Sequence, residues 1–286
     1  MPRVSRDGVS LYYEREEAGS ESVVFLQGLG YGRWTWRWQR EALREEYDVI
    51  APDTRGTGRS ESGEPPLVAR MPGRLRTRLA RGPLSYSIEG LAEDLEAVLS
   101  DAGVYNAHVV GASLGGMVAL EYALEYGRTK TLTLVGATHG GPDAVAIPEE
   151  TRKQIFDEPK GTSEREGIRH TMRPVFTEPF TNQNPHLLDR LIEWRRESDA
   201  EPFAGVAQAG AGLKFDAADR LDRIRCPTLV VHGSEDRVVP VANGRLLAEK
   251  IPGARLVEIE GGSHLCAVEN ADVVTEELCS FVETHS

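Results

Sequence analysis

The sequence predicts an α/β fold in which a mostly parallel sheet is covered by helices on both faces. Short, almost continuous apolar runs, such as residues 23–26 and 228–231, have the length and composition of strands buried on both sides. Segments with helical spacing of apolar residues separate these runs, and strands that alternate with helices form parallel sheets. The alternation stops near residue 140 and returns near residue 219, so a helical insertion is expected between these points.

Local patterns place the individual elements. Strands are predicted where a short apolar or alternating run ends in a turn, at residues 8–15, 22–26, 47–51, 107–110, 131–135, 227–232 and 255–259. Helices outside the insertion are predicted at residues 34–45, 87–101, 114–126, 241–251 and 269–283. Ser87 has the side chain and the position of an N-cap for the second of these helices.

The chain is predicted to form a core and a cap. Residues 1–140 and 219–286 make up the core, and residues 141–218 make up the helical cap. Residues 61–85 interrupt the core with a segment rich in Pro, Gly and Arg, which is predicted as a loop or lid.

The segment 61–85 carries five arginines, and no acidic residue lies between the first and the last of them. They are Arg70, Arg74, Arg76, Arg78 and Arg81. Two interpretations are open. A solvated, mobile loop would complement the acidic surface of the rest of the chain. A basic lid would instead gate a site or attract an anionic substrate.

Composition argues against several classes of function. The net charge of −12 argues against a surface that binds nucleic acid. The three cysteines, Cys226, Cys266 and Cys279, form neither a disulfide framework nor a zinc-ligand pattern, so buried reduced thiols are expected. No apolar run approaches the roughly 20 residues that span a bilayer, and the N-terminus lacks the apolar core of a secretory signal. A cytoplasmic protein without stable membrane association is therefore expected.

Residues 111–115, Gly-Ala-Ser-Leu-Gly, match the Gly-x-Ser-x-Gly pattern of a nucleophile elbow. An apolar strand is predicted directly before the pattern and an amphipathic helix directly after it. This context supports the assignment, because so short a motif also occurs by chance. Small residues let the strand and helix backbones approach, so that Ser113 is lifted off the end of the sheet. The backbone N–H of Leu114, at the helix start, would face a substrate carbonyl oxygen. The alternative is a plain strand–turn–helix connection with a solvent-facing serine.

A serine hydroxyl needs a base to take its proton, and the base needs an acid to orient it. Asp236 and His264 each follow a strand late in the chain, and His264 lies in a Gly-rich turn. The order serine, acid, histidine on successive strand ends predicts Ser113, Asp236 and His264 as a catalytic triad. Glu235 is the weaker candidate for the acid.

Other residues near strand ends complete the predicted site. The backbone N–H of Leu29, in a Gly-rich turn, is the second oxyanion donor beside that of Leu114. Three residues are candidates for the pocket wall: Gln27, Trp34 and His139. His108 and His232 fall within strands, so they are expected to be buried for structural reasons.

Five segments together carry a resemblance to a known family: residues 27–30, 53–60, 111–115, 233–240 and 262–264. On these motifs the chain resembles the α/β-hydrolase superfamily over nearly its whole length. It is most similar to the capped esterase and lactonase branch that includes the 3-oxoadipate enol-lactonase and aclacinomycin methylesterase types. Two features depart from the family pattern. Gln27 stands where members usually carry histidine, and the segment 61–85 is longer than the usual link.

The resemblance implies an α/β-hydrolase fold with a mostly parallel eight-stranded sheet and a helical cap. It also implies a serine hydrolase that cleaves a carboxylic ester or lactone of a small organic molecule through an acyl-enzyme on Ser113. No metal or organic cofactor is expected. The alternatives are a carbon–carbon bond hydrolase or an acyltransferase with the same triad, and a non-catalytic hydrolase-like binding protein. A homodimer formed through the cap is an open option.

Overall fold

The computed structural model describes residues 2–156 and 161–286. Eight strands form its sheet: β1 (Arg3–Arg6), β2 (Val9–Glu16), β3 (Ser22–Leu26), β4 (Asp48–Pro52), β5 (Ala107–Ala112), β6 (Thr129–Val135), β7 (Thr228–Gly233) and β8 (Arg255–Ile259). Their order across the sheet is β1-β2-β4-β3-β5-β6-β7-β8.

The first two strands are antiparallel, because β1 pairs with β2 and β2 pairs with β4 in that sense. All pairs from β4 to β8 are parallel. The carboxyl ends of β3 to β8 therefore meet at one edge, which is where ligands bind in open α/β sheets. The predicted α/β fold with eight mostly parallel strands is confirmed.

Helices cover both faces of the sheet. They are α1 (Arg37–Leu43), α2 (Pro66–Ala69), α3 (Gly73–Arg81), α4 (Ile88–Asp101), α5 (Leu114–Glu125), α6 (Glu149–Phe156), α7 (Glu164–Met172), α8 (Glu178–Gln183), α9 (Pro185–Ser198), α10 (Pro202–Lys214), α11 (Ala242–Lys250), α12 (Cys266–Glu269) and α13 (Ala271–Thr284). Short 3₁₀ helices lie at Arg33–Trp36, Arg173–Val175 and Leu221–Arg223. The predicted N-cap is present, because Ser87 Oγ accepts a hydrogen bond from the Gly90 N–H at 3.0 Å.

The side chains of β3 show how the sheet separates two apolar layers. Val24 and Leu26 belong to the layer that α4 and α5 cover, whereas Val23 and Phe25 belong to the layer on the side of α1 and α13. None of these four side chains is more than 6% exposed. A strand buried on both faces needs an uninterrupted apolar run, which explains this sequence pattern.

The prediction of a loop over residues 61–85 is wrong in part, because the segment contains the short helices α2 and α3. Val68 and Ala80 are buried there against Phe203 and Ala207 of α10. Pro66 is the first residue of α2, and Pro72 is the N-cap residue before α3. Proline is common at the start of a helix. Only a narrow apolar stripe faces α10, so the arginine-rich composition concealed the helical pattern.

The chain between β6 and β7 forms α6 to α10. We call residues 141–218 the helical insertion; residues 157–160 of this predicted cap lie outside the described residues. The division of the chain into core and cap stays a prediction. In the described ranges, no helix is long and apolar enough to cross a membrane, and no three His, Cys, Asp or Glu side chains are grouped to hold a metal ion.

Candidate active site

Ser113 lies in the turn between β5 and α5, at the carboxyl edge of the sheet. Its backbone φ is 51°, a positive value that residues other than glycine rarely adopt. The Ser113 N–H donates to the Val135 carbonyl at 3.0 Å, and the Met117 N–H donates to the Ser113 carbonyl at 3.1 Å. Such strain at a strand–turn–helix junction is typical of a nucleophile elbow.

The glycines of this turn leave no room for a side chain. A Cβ on Gly111 would lie 2.3 Å from the Gly115 carbonyl oxygen, and a Cβ on Gly115 would lie 2.3 Å from the Leu26 carbonyl oxygen. The first turn of α5 therefore packs directly on β3 and β5, as the small residues predicted. Leu114 is the first residue of α5, so its N–H has no acceptor within the helix.

Asp236 lies in the turn after β7 and is only 6% exposed. Its Oδ1 accepts hydrogen bonds from the backbone N–H groups of Val238 and Val239, both at 2.8 Å. Its Oδ2 lies 2.8 Å from His264 Nδ1. Burial raises the pKa of Asp236, but the attraction of His264 and hydrogen bonds from His232 and His264 outweigh it, so this pKa lies below its usual range. The site therefore holds Asp236 as a carboxylate.

Glu235, the alternative acid, is placed differently. It is exposed to solvent, and its backbone N–H donates to the Gly262 carbonyl at 2.9 Å. The carboxylate that contacts His264 belongs to Asp236.

His264 lies in the loop after β8 and is 7% exposed. The end of β7 presses on this loop, because a Cβ on Gly233 would lie 2.3 Å from the Gly262 carbonyl oxygen. A carboxylate can only accept, so His264 Nδ1 carries the hydrogen that it shares with Asp236. Nε2 is then the nitrogen that can act as a base.

Gly136 lies between the turn of Ser113 and the Asp236–His264 pair. It directly follows Val135, which accepts the Ser113 N–H. Its φ is 53°, and a Cβ there would lie 3.4 Å from both Asp236 Oδ2 and His264 Nδ1. The structure thus joins Asp236 and His264 by a hydrogen bond and places Ser113 across the end of β6 from them.

His232 was predicted as a buried strand residue, and it is fully buried, but it also contacts Asp236. Its Nε2 lies 2.7 Å from the Val239 carbonyl oxygen and 3.3 Å from Asp236 Oδ2. The carbonyl can only accept, so Nε2 carries a hydrogen that the carbonyl and the carboxylate share. Sequence reasoning missed this contact; the spacing of four residues between His232 and Asp236 was the available signal.

Gln27 begins the loop of residues 27–32, which we call the oxyanion loop. Its Nε2 donates to the Pro52 carbonyl at 2.9 Å and to Thr54 Oγ1 at 3.0 Å. The side chain is 1% exposed. Gln27 therefore ties the oxyanion loop to the turn after β4, and a pocket-wall role for it stays a prediction.

Leu29 lies in a tight turn within the oxyanion loop. The Tyr31 N–H donates to the Gly28 carbonyl at 3.1 Å, and Gly30 has a φ of 73°, which together are typical of a type II turn. A Cβ on Gly28 would lie 3.4 Å from the Ser113 Cβ, so the loop passes beside Ser113. Within residues 2–156 and 161–286, no acceptor is found for the Leu29 N–H, so this donor can serve a ligand.

The helical insertion also holds the oxyanion loop. The Gly30 carbonyl accepts from the Ala200 N–H at 2.8 Å, and the Gly30 N–H donates to Gln208 Oε1 at 2.8 Å. Asp199 Oδ1 accepts from the Gly32 N–H at 3.0 Å. Sequence reasoning missed these three insertion residues, because no local motif marks a contact across more than 160 positions of the chain.

Trp34 and His139 are the other predicted pocket-wall residues. Trp34 is 9% exposed, and its indole N–H donates to Asp199 Oδ1 at 3.0 Å. His139 is fully buried, with Nδ1 2.7 Å from the Gly140 carbonyl oxygen. Burial lowers the pKa of His139, so the neutral ring is favoured. Their part in a pocket stays a prediction.

Known proteins resemble this chain throughout its length. The chain is 31% identical to a putative carbamate hydrolase RutD of Azorhizobium caulinodans, over 98% of both chains. It is 25% identical to 3-oxoadipate enol-lactonase 1 of Acinetobacter baylyi, over 92% of this chain and 89% of that one. The fold matches the enol-lactonase of Burkholderia xenovorans with a TM-score of 0.78 at 23% identity, covering 99% of this chain and all of the other.

A family model decides the assignment. Residues 23–277 match the model of the alpha/beta hydrolase family, which spans most of the sheet, the turn of Ser113 and the loop of His264. The resemblance drawn from the sequence motifs is thereby confirmed. The chain belongs to the alpha/beta hydrolase family and is a hydrolase.

Proposed function

We propose that this chain is a serine hydrolase that cleaves a carboxylic ester or lactone of a small organic molecule through an acyl-enzyme on Ser113. The observation that carries the proposal is the Asp236–His264 hydrogen bond of 2.8 Å beside the strained turn of Ser113. A carboxylate that fixes the histidine tautomer leaves Nε2 to act on a hydroxyl.

Acylation begins when His264 Nε2 takes the proton from Ser113 Oγ as this oxygen attacks the carbonyl carbon. The carbonyl oxygen becomes an oxyanion, and the N–H groups of Leu29 and Leu114 are its proposed donors. The carbon–oxygen bond of the leaving group then breaks, and the leaving oxygen takes the proton from His264. In a lactone this alcohol stays attached to the acyl group.

Deacylation repeats these steps with water. His264 Nε2 takes a proton from the water molecule, and the resulting hydroxide bonds to the acyl carbon. The bond to Ser113 Oγ breaks, the proton returns to Ser113, and the carboxylic acid leaves. Asp236 stabilises the positive imidazolium in both halves of the reaction. The helical insertion is the proposed cap that selects the substrate.

The relatives favour two acyl classes. The enol-lactonase relative supports the lactone or ester. The relative named as a putative carbamate hydrolase favours a carbamate as the second candidate, because it shares 31% identity over 98% of the chain. The same triad would serve both, since each substrate presents a carbonyl carbon with a heteroatom leaving group. A carbon–carbon hydrolase or an acyltransferase remains the further alternative.

The test is hydrolysis of a p-nitrophenyl ester series from acetate to decanoate, together with a lactone and a carbamate, by the wild type and Ser113→Ala. The variant is expected to lose at least about 10⁴-fold in kcat, because the triad acts as a unit. Labelling by a fluorophosphonate should disappear with it. Ser100→Ala, an exposed serine on α4, is the matched control that keeps both activity and labelling.

Two results would redirect the proposal. If the Ser113→Ala variant turned over the substrates as fast as the wild type, Ser113 would not be the nucleophile. A wild type that neither turns over any of these acyl compounds nor reacts with the fluorophosphonate would indicate a non-catalytic binding protein, unless it cleaves a carbon–carbon bond of a β-diketone.

A further inference from the structure

Gln208 is a fully buried polar side chain on α10 of the helical insertion. Its Oε1 accepts from the Gly30 N–H at 2.8 Å, and its Nε2 donates to the Arg55 carbonyl and to Thr57 Oγ1, both at 3.0 Å. The Gly30 N–H can only donate and the Arg55 carbonyl can only accept, so the orientation of the amide is fixed. One side chain therefore joins the insertion, the oxyanion loop and the turn after β4.

The bond to Gly30 selects one form of the tight turn that carries Leu29. Gly28 and Tyr31 close this turn, and its central peptide joins the Leu29 carbonyl to the Gly30 N–H. Type I and type II turns differ by a flip of that central peptide. In the flipped form the Leu29 carbonyl oxygen would take the place of the Gly30 N–H. It would then face Gln208 Oε1, and two acceptors cannot form a hydrogen bond.

The other face of the same turn borders the nucleophile. A Cβ on Gly28 would lie 3.4 Å from the Ser113 Cβ, and the Leu29 N–H shares its peptide with the Gly28 carbonyl. The Tyr31 N–H fixes the direction of that carbonyl, and the N–H of a trans peptide points the opposite way. A flip of the central peptide would leave this Gly28–Leu29 peptide in place, so Gln208 acts on the Leu29 N–H through the position of the whole turn beside Ser113.

We propose that Gln208 is a positioning residue, which holds the oxyanion loop in the place beside Ser113 where the Leu29 N–H meets the developing oxyanion. The proposal rests on the proposed function of Ser113 as nucleophile, because the oxyanion develops only when Ser113 attacks a carbonyl carbon. It makes the geometry of the oxyanion hole depend on the docking of the helical insertion. A donor that is aimed before the reaction lowers the barrier without changing ground-state binding.

The test replaces Gln208 by methionine, which keeps the length and most of the volume but none of the three hydrogen bonds. We expect kcat on p-nitrophenyl acetate to fall about 10-fold to 100-fold, less than the loss of a whole oxyanion donor, while KM changes less than about threefold. The inhibition constant of phenylboronic acid, whose adduct with serine is tetrahedral, should rise by the same factor as kcat falls. The rate is expressed per Ser113 titrated with fluorophosphonate, so partial unfolding of the variant does not enter it.

Gln208→Glu tests the role by conservation of the hydrogen bonds. A buried carboxyl without a cationic partner takes up a proton, so it offers one acceptor for the Gly30 N–H and one donor for the Arg55 carbonyl. Its kcat should lie closer to the wild type than to Gln208→Met. Asp48→Asn is the control for a buried polar change, because Asp48 begins β4 at the opposite edge of the sheet and is 4% exposed. The control should lower stability and leave kcat unchanged.

The outcomes separate the two proposals. If the wild type showed neither turnover nor labelling, the proposed function itself would be contradicted. An active wild type whose Gln208→Met variant keeps kcat within about twofold per titrated site, or whose Gln208→Glu variant is as slow as Gln208→Met, would overturn the positioning role.

Discussion

The two halves of the candidate site are held by different parts of the chain. The carboxylate of Asp236 is bonded entirely within the core, to the backbone of Val238 and Val239 and to the side chains of His232 and His264. The oxyanion loop is held mainly from the helical insertion, through Asp199, Ala200 and Gln208. The geometry of the Asp236–His264 pair therefore depends on residues near it in the chain, whereas the geometry of the oxyanion loop depends on the helical insertion.

The largest effect is expected in the core half, from Asp236→Asn. An amide presents a donor to His264 Nδ1 and favours the wrong tautomer, so we expect kcat to fall about 10⁴-fold with little loss of fold. Steady-state kinetics on the best ester checks this. Glu235→Gln is the matched control, because Glu235 is adjacent in sequence but exposed, and a comparable loss there would contradict the assignment of the acid.

The next largest effect is expected in the insertion half, from Asp199→Ala. The change leaves the Arg195 guanidinium without its carboxylate, which lies 2.6 Å away, and both side chains are only 15% exposed. It also frees the Gly32 N–H of the oxyanion loop. We expect a loss of about 3 kcal/mol in the free energy of unfolding, measured in urea, and a lower kcat.

Asp189→Ala is the control for that change. Asp189 lies in the same insertion and pairs with Arg165 at 2.7 Å, but both side chains are more than 40% exposed. Exposed pairs contribute little, so its cost should stay below about 1 kcal/mol. Equal costs for the two variants would show that burial of the Asp199 pair has no bearing on how the insertion is held.

The smallest effect is expected from His232→Leu, which removes the second side-chain donor to Asp236. We expect kcat to fall about tenfold, as for one charge-assisted hydrogen bond, and His232→Gln to recover much of it. His108→Gln is the control, since His108 is also fully buried with two partners but lies at the start of β5. If kcat fell as much in the His108 variant as in His232→Leu, the effect would be a general one of replacing a buried histidine. His232 would then have no specific role at Asp236.

The same variant has a signature in the pH dependence of stability. Hydrogen bonding from His232 contributes to the lowered pKa of Asp236. A carboxyl with a lowered folded pKa stabilises the fold above its unfolded pKa of about 3.9, and this stabilisation is lost as the pH falls toward the folded pKa. His232→Leu brings the two values closer together, so its difference from the wild type in unfolding free energy should shrink between pH 5 and pH 3.

Features encoded by neighbouring residues could be predicted from the sequence. Strands β2 to β8, the turn of Ser113 and the positions of Asp236 and His264 follow from short apolar or alternating runs that end in glycine-rich or polar turns. The first strand, β1, was not predicted by these patterns. The predicted triad stays to be tested by activity, but the bond between Asp236 and His264 lies where that reasoning placed it. A residue that follows a parallel strand lies at the carboxyl edge of the sheet whichever strand it follows. The local pattern of strand and turn is therefore enough to predict its position.

Features that depend on distant parts of the chain could not be predicted. Gln208 and Gly30 are 178 positions apart, and nothing in the composition of α10 marks a contact with the loop after β3. The helix α3 was missed because its buried Ala80 has meaning only beside Ala207. His232 was interpreted as a strand residue only. The turn after β7 brings Asp236 back to the His232 ring, and no sequence pattern marks this contact.

The backbone of Ser113 has a consequence for the evolution of this scaffold. A non-glycine residue at a φ of 51° carries an energy of about 1–3 kcal/mol that the surrounding packing must hold. Glycine at this position would relieve the strain and stabilise the fold, at the loss of the hydroxyl. Selection for heat resistance alone would therefore drive the chain away from serine at position 113, so a lineage that keeps this residue is under selection for chemistry rather than for persistence of the fold.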